Sequence, residues 1–225
     1  MDWRFHLNSE EILAEVAMQT AACTRCKLHH GRKKSVPGAG DPQARVMFIG
    51  EGPGFHENQQ GLPFVGAAGK FLDTLLEEAN LDRNSVFITN VVKCRPPGNR
   101  DPVTEELAAC KPYLERQIAA INPDVIVTLG RISMSYYINN GKISAIHGRC
   151  YWFNGRLVVP MYHPAAALHQ PSLREVVKQD FAKLPSYVLK AQEARRNNPD
   201  LAAMCQPEKE ENGPDNKPTE QLSLF

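Results

Sequence analysis

The chain has 225 residues, 42% of them hydrophobic and 23% charged, with a formal net charge of +1. That length supplies one sizeable core and little more, and the balanced charge excludes polyanion binding through bulk charge, leaving only a local patch for it. No apolar stretch approaches the ~20 residues a membrane span needs, and MDWRFHLNSEE has no basic stretch leading into an apolar one, so a cytoplasmic, monomeric protein without a secretory signal or membrane anchor is expected.

Asn8 to Ala22 reads as a helix opened by an N-x-x-E cap (Asn8, Glu11). Cys23 and Cys26 follow as a C-x2-C pair, overlapped by a basic run of Arg25, Lys27, His29, His30, Arg32, Lys33 and Lys34. That run is either a polyanion patch or a solvated loop. After the turn-rich VPGAGDPQ, Arg45 to Gly50 (RVMFIG) is a short buried strand. Ala68, Phe71, Leu72, Leu75, Leu76 and Ala79 recur with helical spacing and predict a core-facing helix. Ser85 to Val92 is the second strand. Leu107, Cys110, Leu114, Ile118 and Ile121 mark a helix entered from Thr104 as N-cap, Asp124 to Gly130 is the third strand, and Arg156 to Pro164 the fourth. A last helix is expected from about Ser172 to Lys190. Alternating strands and helices predict an α/β fold with a four-stranded, mainly parallel sheet covered on both faces.

The domain is expected to span residues 1–190, followed by a flexible linker over 191–220 and a terminal peptide, QLSLF, over 221–225. From Ala191 onward there are four Lys/Arg against seven Asp/Glu, which leaves a body of +4 and a tail of −3. Three large apolar side chains at the end of a polar tail either fold back onto the domain or serve a pocket on another protein.

Six cysteines in a reducing compartment point to metal or catalysis before disulfides. Cys94 opens a proline-rich loop and Cys110 lies on a helix. This spread lacks zinc-ribbon spacing and suits an iron–sulfur cluster gripped between elements. On periodicity alone, Cys110 also reads as a small core residue. Cys150 and Cys205 have no partner pattern.

In parallel sheets, sites form at the carboxyl ends of strands, where GEGPG, TNVVKCRPPGNR and YHPAAAL each begin. GEGPG fails as a dinucleotide loop, because the third glycine position is Phe55 and Pro53 removes an amide. It leaves Glu51, a carboxylate flanked by glycines, with Glu57 nearby. Asn90 stands in an otherwise apolar strand, where a buried amide must be hydrogen-bonded and can read a pyrimidine edge. Phe64 and His163 complete a plausible pocket for a planar heterocycle. Core packing for Phe64 and a satisfied strand-end histidine for His163 are the plainer readings.

Gly50 to Gly54, GLPFVGAAG, TNVVKCRPPGNR, the four cysteines and His163-Pro164 together resemble a family 4 uracil-DNA glycosylase, the iron–sulfur branch of that superfamily, over roughly Cys23 to Pro185. The resemblance implies a three-layer α/β/α sandwich, a [4Fe–4S] cluster on Cys23, Cys26, Cys94 and Cys110, and excision of uracil from DNA. It implies stacking of uracil on Phe64, reading of its edge by Asn90, stabilisation of the departing base by His163 and activation of water by Glu51. Leu168 would be the wedge that fills the vacated stack. Departures shift some roles. Gly52, expected at the substrate, replaces the aspartate base of other branches, with Glu57 in reserve as base. Gly54 replaces a tyrosine that excludes thymine's methyl, a task then left to Glu57. Asn58 stands where the family often has aspartate, and Ala167 holds the expected wedge position. Alternatives are a glycosylase of the same superfamily for another deaminated base, or a non-catalytic iron–sulfur nucleic-acid-binding protein. QLSLF resembles the clamp-binding motif Q-L-[SD]-L-F of bacterial replication and repair proteins, so Gln221, Leu222, Leu224 and Phe225 would bind the sliding clamp and keep the protein near the nucleoid.

Overall fold

The computed structural model describes residues 8–197. Cys205 and the QLSLF peptide lie outside the described residues. Four parallel strands form the centre of the sheet, and the sequence explains why. β2 (Val46–Gly50) and β4 (Val125–Leu129) are apolar runs, interrupted only by Thr128, with every residue buried, the pattern of strands covered on both faces. β3 (Phe87–Asn90) and β6 (Arg156–Met161) flank them. Two short antiparallel edges, β1 (Ala39–Gly40) and β5 (Tyr151–Phe153), extend the order to β1-β3-β2-β4-β6-β5. The sheet therefore has six strands where four are expected from the sequence. Both additions are too short to show a period. β5 nevertheless carries a hairpin signal, because Asn154 (φ 45°) and Gly155 (φ 79°) form the left-handed two-residue turn into β6.

The described residues form nine α-helices: α1 (Ser9–Ala22), α2 (Phe55–Gln60), α3 (Ala67–Glu78), α4 (Thr104–Ile121), α5 (Arg131–Ser135), α6 (Ile143–Ile146), α7 (Pro164–His169), α8 (Leu173–Phe181) and α9 (Leu184–Asn197). Alternation along the strands divides them into two layers. Val46, Phe48, Val125, Val127 and Val159 face a core shared with Leu72 and Leu76 of α3, Phe181 of α8 and Leu184 of α9. Met47, Ile49, Ile126 and Val158 face Leu114, Ile118 and Ile121 of α4. The result is the expected α/β/α sandwich.

Asn8 caps α1 as expected, its side chain accepting from Glu11 N at 2.9 Å while the Glu11 carboxylate accepts from Asn8 N at 2.8 Å. The cap of α4 is Val103 rather than Thr104. Here the Glu106 carboxylate accepts from Val103 N at 3.0 Å and is itself gripped by Arg100 through bonds of 2.7 and 2.8 Å. The single C-terminal helix expected from Ser172 to Lys190 is two helices. Pro185 has no N–H to continue α8, so the chain restarts at Leu184. The second helix runs to Asn197, beyond the expected start of the linker, because Arg195 binds the carbonyl of Pro123 at 2.8 Å and pairs with Asp124 at 2.6 Å.

Candidate active site

Gly50 is the last residue of β2 and sits beside Asn90, the last of β3. A Cβ at Gly50 would lie 2.4 Å from Asn90 Oδ1 and 2.8 Å from Cζ of Phe64. Only glycine lets a buried amide and an aromatic ring meet over one backbone atom in this way. Asn90 and Phe64 are 2% and 6% exposed, so the surface they form is rigid. Lys93, also buried, donates from Nζ to the Asn90 carbonyl at 2.8 Å, to Thr89 Oγ1 at 2.6 Å and to Gln117 Oε1 at 2.7 Å. Burial pulls its pKa down to about 7.

Phe64 occupies the left-handed region at φ 52°, a conformation that costs an aromatic residue on the order of 1 kcal/mol and persists only when its surroundings impose it. Arg83, paired with Asp73, donates to the carbonyls of Pro63 and Phe64 at 2.8 and 3.1 Å. Glu57 Oε1 accepts from the next two amides, Val65 N and Gly66 N, at 2.9 Å each. Gly69 of α3 lies against the Phe64 carbonyl so closely that a Cβ there would be 1.8 Å from its oxygen.

His163 leaves β6 and caps α7. Its Nδ1 accepts from Ala165 N at 3.1 Å, which assigns the proton of the neutral ring to Nε2. Burial pushes the imidazole pKa down to about 4, against the opposing pull of Glu57, so the ring is neutral at physiological pH. Its ring stacks with Phe64 at 5.5 Å between centroids and 26° between planes. Gly130, at the end of β4 with φ 93°, supplies the space, since a Cβ there would be 3.2 Å from His163 Cβ.

Glu51 follows Gly50 and is partly buried. Burial, then the charge of Asp101, raises its pKa, and Arg131, ion-paired with Asp101, opposes them. Glu57 differs, because one of its oxygens is committed to two amides and the other lies 2.7 Å from where a Cβ of Gly54 would be. A side chain at Gly52 would run into Val92 Cγ2 at 2.9 Å, with Pro96 Cδ in ordinary contact at 3.5 Å, so Gly52 serves the close approach of two loops. On α7, Ala167 is fully buried while Leu168 is partly exposed.

Cys23, Cys26, Cys94 and Cys110 line one pocket with Leu28, Val92 and Tyr113. The thiols are unbridged. Arg32 Nη1 donates to Cys94 Sγ at 3.5 Å and to the Cys23 carbonyl at 2.7 Å, and Lys93 N donates to Cys110 Sγ at 3.3 Å. Burial pushes the Cys110 thiol up to about 11 and raises Cys94 as well. Among the described residues, no three His, Cys, Asp or Glu side chains converge on a single-ion site; the sulfurs surround a pocket. The buried Asn58 docks the segment after Cys26 against α2, its Oδ1 accepting from Lys33 N at 3.0 Å. Part of the basic run is thereby structural, with Arg32 on the cysteines and the Arg25 guanidinium 5.9 Å from the centre of the Tyr113 ring.

Residues 37–191 match the family description "Uracil DNA glycosylase superfamily". The chain belongs to this superfamily. Proteins named "Type-4 uracil-DNA glycosylase" are similar to it over most of their length. That of Saccharolobus solfataricus is 49% identical over 75% of this chain and 83% of its own, and that of Sulfurisphaera tokodaii 47% over 76% and 83%. That of Thermotoga maritima is 44% identical over 80% of this chain and 97% of its own.

Of the residues singled out in the sequence, Asn90 and Phe64 meet at Gly50 and Phe64 stacks with His163, at the strand ends of a uracil-DNA glycosylase fold. Glu51 follows Gly50 and feels the charges of Asp101 and Arg131, and the four cysteines share a pocket as expected. Sequence reading passed over Arg83, Gly69, Gly130 and Lys93. The two glycines and the lysine stand in or beside quoted motifs, whereas nothing local marks Arg83, whose partners are distant in the chain.

Proposed function

We propose that this protein excises uracil from DNA by hydrolysing the N-glycosidic bond, the opening step of base excision repair. The observation that carries this reading is that Phe64 meets Asn90 over Gly50 and stacks with neutral His163. An aromatic face, an amide with donor and acceptor, and an Nε2–H donor match the plane and edges of one pyrimidine. The glycosidic bond is out of reach within a duplex, so the nucleotide must leave the stack, with Leu168 as the partly exposed apolar side chain that takes its place. The C1′–N1 bond breaks with its electron pair on uracil, and the Nε2–H of His163 stabilises the resulting anion at a uracil oxygen. Water then adds to C1′ and gives its proton to the Glu51 carboxylate, which a raised pKa makes a better base. Glu57 shapes the pocket wall beside Gly54, where it limits room for a thymine methyl. Incubation with a uracil-containing oligonucleotide should create an alkali-labile site at the uracil. An oligonucleotide that stays intact would leave the non-catalytic reading.

Cys23, Cys26, Cys94 and Cys110 would hold a [4Fe–4S] cluster. Support comes from four soft donors around one buried pocket, with N–H groups of Arg32 and Lys93 directed at the sulfurs as thiolates require. When bound, such a cluster cross-links its cysteine segments and offers one-electron chemistry, and no step above needs the latter. The purified protein should be brown, with about four irons and four sulfides per chain. Cys94→Ser should bleach it and lower its melting temperature. One zinc on these cysteines would contradict the assignment.

QLSLF would bind the bacterial sliding clamp, with Leu222, Leu224 and Phe225 in an apolar cleft and Gln221 setting register. Support is the match at every motif position. α9 is described as far as Asn197, 23 residues lie between it and Gln221, and a flexible chain of that length has a reach of about 26 Å. Such a tether raises the local enzyme concentration at replicating DNA. Deleting residues 221–225 should abolish clamp binding and leave excision on a short oligonucleotide unchanged. Clamp binding by the truncated protein would contradict the assignment.

A further inference from the structure

Two loops run outward together from the candidate pocket. Val91 N and Val92 N donate to the carbonyls of Gly50 and Glu51 at 3.0 and 3.2 Å, extending the β2–β3 ladder beyond the strands. Next outward, Gly52 lies against Val92 and Pro96. At the surface the seam ends in Phe55, which is 53% exposed, with the Arg95 guanidinium carbon 5.4 Å from the centre of its ring. Arg95 is fixed in turn, because its Nε donates to Asn99 Oδ1 at 2.8 Å. His56 meets the ring edge-on at 5.4 Å.

An aromatic ring this exposed at the first position of a helix gains little from the core, which α2 reaches through Asn58 and Glu57 instead. Its neighbours hold its orientation all the same. A pre-ordered ring beside a fixed cation presents a flat apolar face and a positive charge together. Those are the two properties that an unstacked nucleobase and its phosphate require, and stacking of this kind tolerates any base.

We propose that Phe55, backed by Arg95, is a stacking platform for the nucleobase next to the flipped nucleotide. It lies outside the uracil pocket and gives the protein its grip on single-stranded DNA. The inference rests on the uracil-pocket reading for the identity of the neighbouring base. The seam from Gly50 to Phe55 sets the spacing, because it leads from the pocket floor to the platform along one continuous pair of loops.

The test is affinity for a fluorescent single-stranded, uracil-containing oligonucleotide, read by anisotropy apart from turnover. Phe55→Ala should weaken binding about tenfold, and Phe55→Trp should restore it. An oligonucleotide with abasic spacers on both sides of the uracil should bind the native protein about as weakly as the intact one binds Phe55→Ala. Phe55→Ala itself should then lose nothing further. The proposal is overturned if Phe55→Ala binds as the native protein does, or if Trp fails to rescue. It is overturned equally if the spacers weaken both proteins alike. A native protein that binds DNA but releases no uracil would instead defeat the functional reading and leave the platform measurable.

Discussion

Replacing His163 by alanine lowers the rate of uracil release by about 10²–10³, the usual cost of one preorganised donor to a developing anion, while affinity for the uracil-containing strand stays within about twofold. The asymmetry follows from the geometry. The Ala165 amide holds Nδ1 and leaves Nε2–H as the donor. Burial keeps the ring neutral, with a pKa of about 4. A neutral donor interacts weakly with a neutral uracil carbonyl and strongly with the uracil anion, so its contribution falls on the transition state. Single-turnover kinetics beside anisotropy separate the two effects, and equal losses in both would make His163 a folding residue. The acid limb of the pH–rate profile should belong to Glu51. Its pKa is raised by burial and Asp101, a protonated carboxyl cannot take a proton from water, and the rate falls as pH drops through that raised value. Glu51→Gln should be slow and should lack this limb. His163 sets a separate limit on stability. Its folded pKa lies below the unfolded value of about 6.5, so the unfolded chain binds more protons between them and stability declines as pH falls from about 6.5 to about 4.

The second large effect is expected at Gly50, which does no chemistry. A methyl group there would stand 2.4 Å from Asn90 Oδ1 and 2.8 Å from the Phe64 ring. Both side chains are buried and neither can retreat without moving a strand end or the clamped turn at Phe64. Gly50→Ala should lower kcat/KM by at least about 10², since a displacement of about 1 Å in a positioning group costs that much. The fold should lose only about 1–3 kcal/mol, the usual cost of overpacking by a methyl group. Circular dichroism and thermal melting check the second number and excision kinetics the first. Near-native activity in Gly50→Ala would mean that the base does not sit over Gly50.

The parts of the site legible in the sequence are those in which residue type conflicts with its surroundings. Asn90 stands out because an amide in an apolar strand must have a partner, and His163 because it follows a buried strand directly. Phe64 carried no such conflict. Its significance comes from a left-handed backbone imposed by Arg83, Glu57 and Gly69, contacts that join separate elements and leave no local period. Glu57 illustrates the same limit, since sequence shows a spare carboxylate and only the folded chain shows it holding two amides. In the fold, long apolar runs revealed the four parallel strands, whereas the two-residue β1 and three-residue β5 escaped. For β5 the Asn154-Gly155 pair was a usable hairpin signal. Pro185 likewise marked the break between α8 and α9.

Hydrolysis of one glycosidic bond by water can be followed by isotope tracing. The cluster-loaded protein is incubated with a single-stranded oligonucleotide bearing one uracil, in water enriched in oxygen-18, and both products are weighed by mass spectrometry. The expected products are free, unlabelled uracil in a one-to-one ratio with an uncut strand carrying one oxygen-18 on the abasic sugar, with no base released from matched thymine or cytosine strands. An intact uracil strand, or label in the released base, would contradict hydrolysis at C1′.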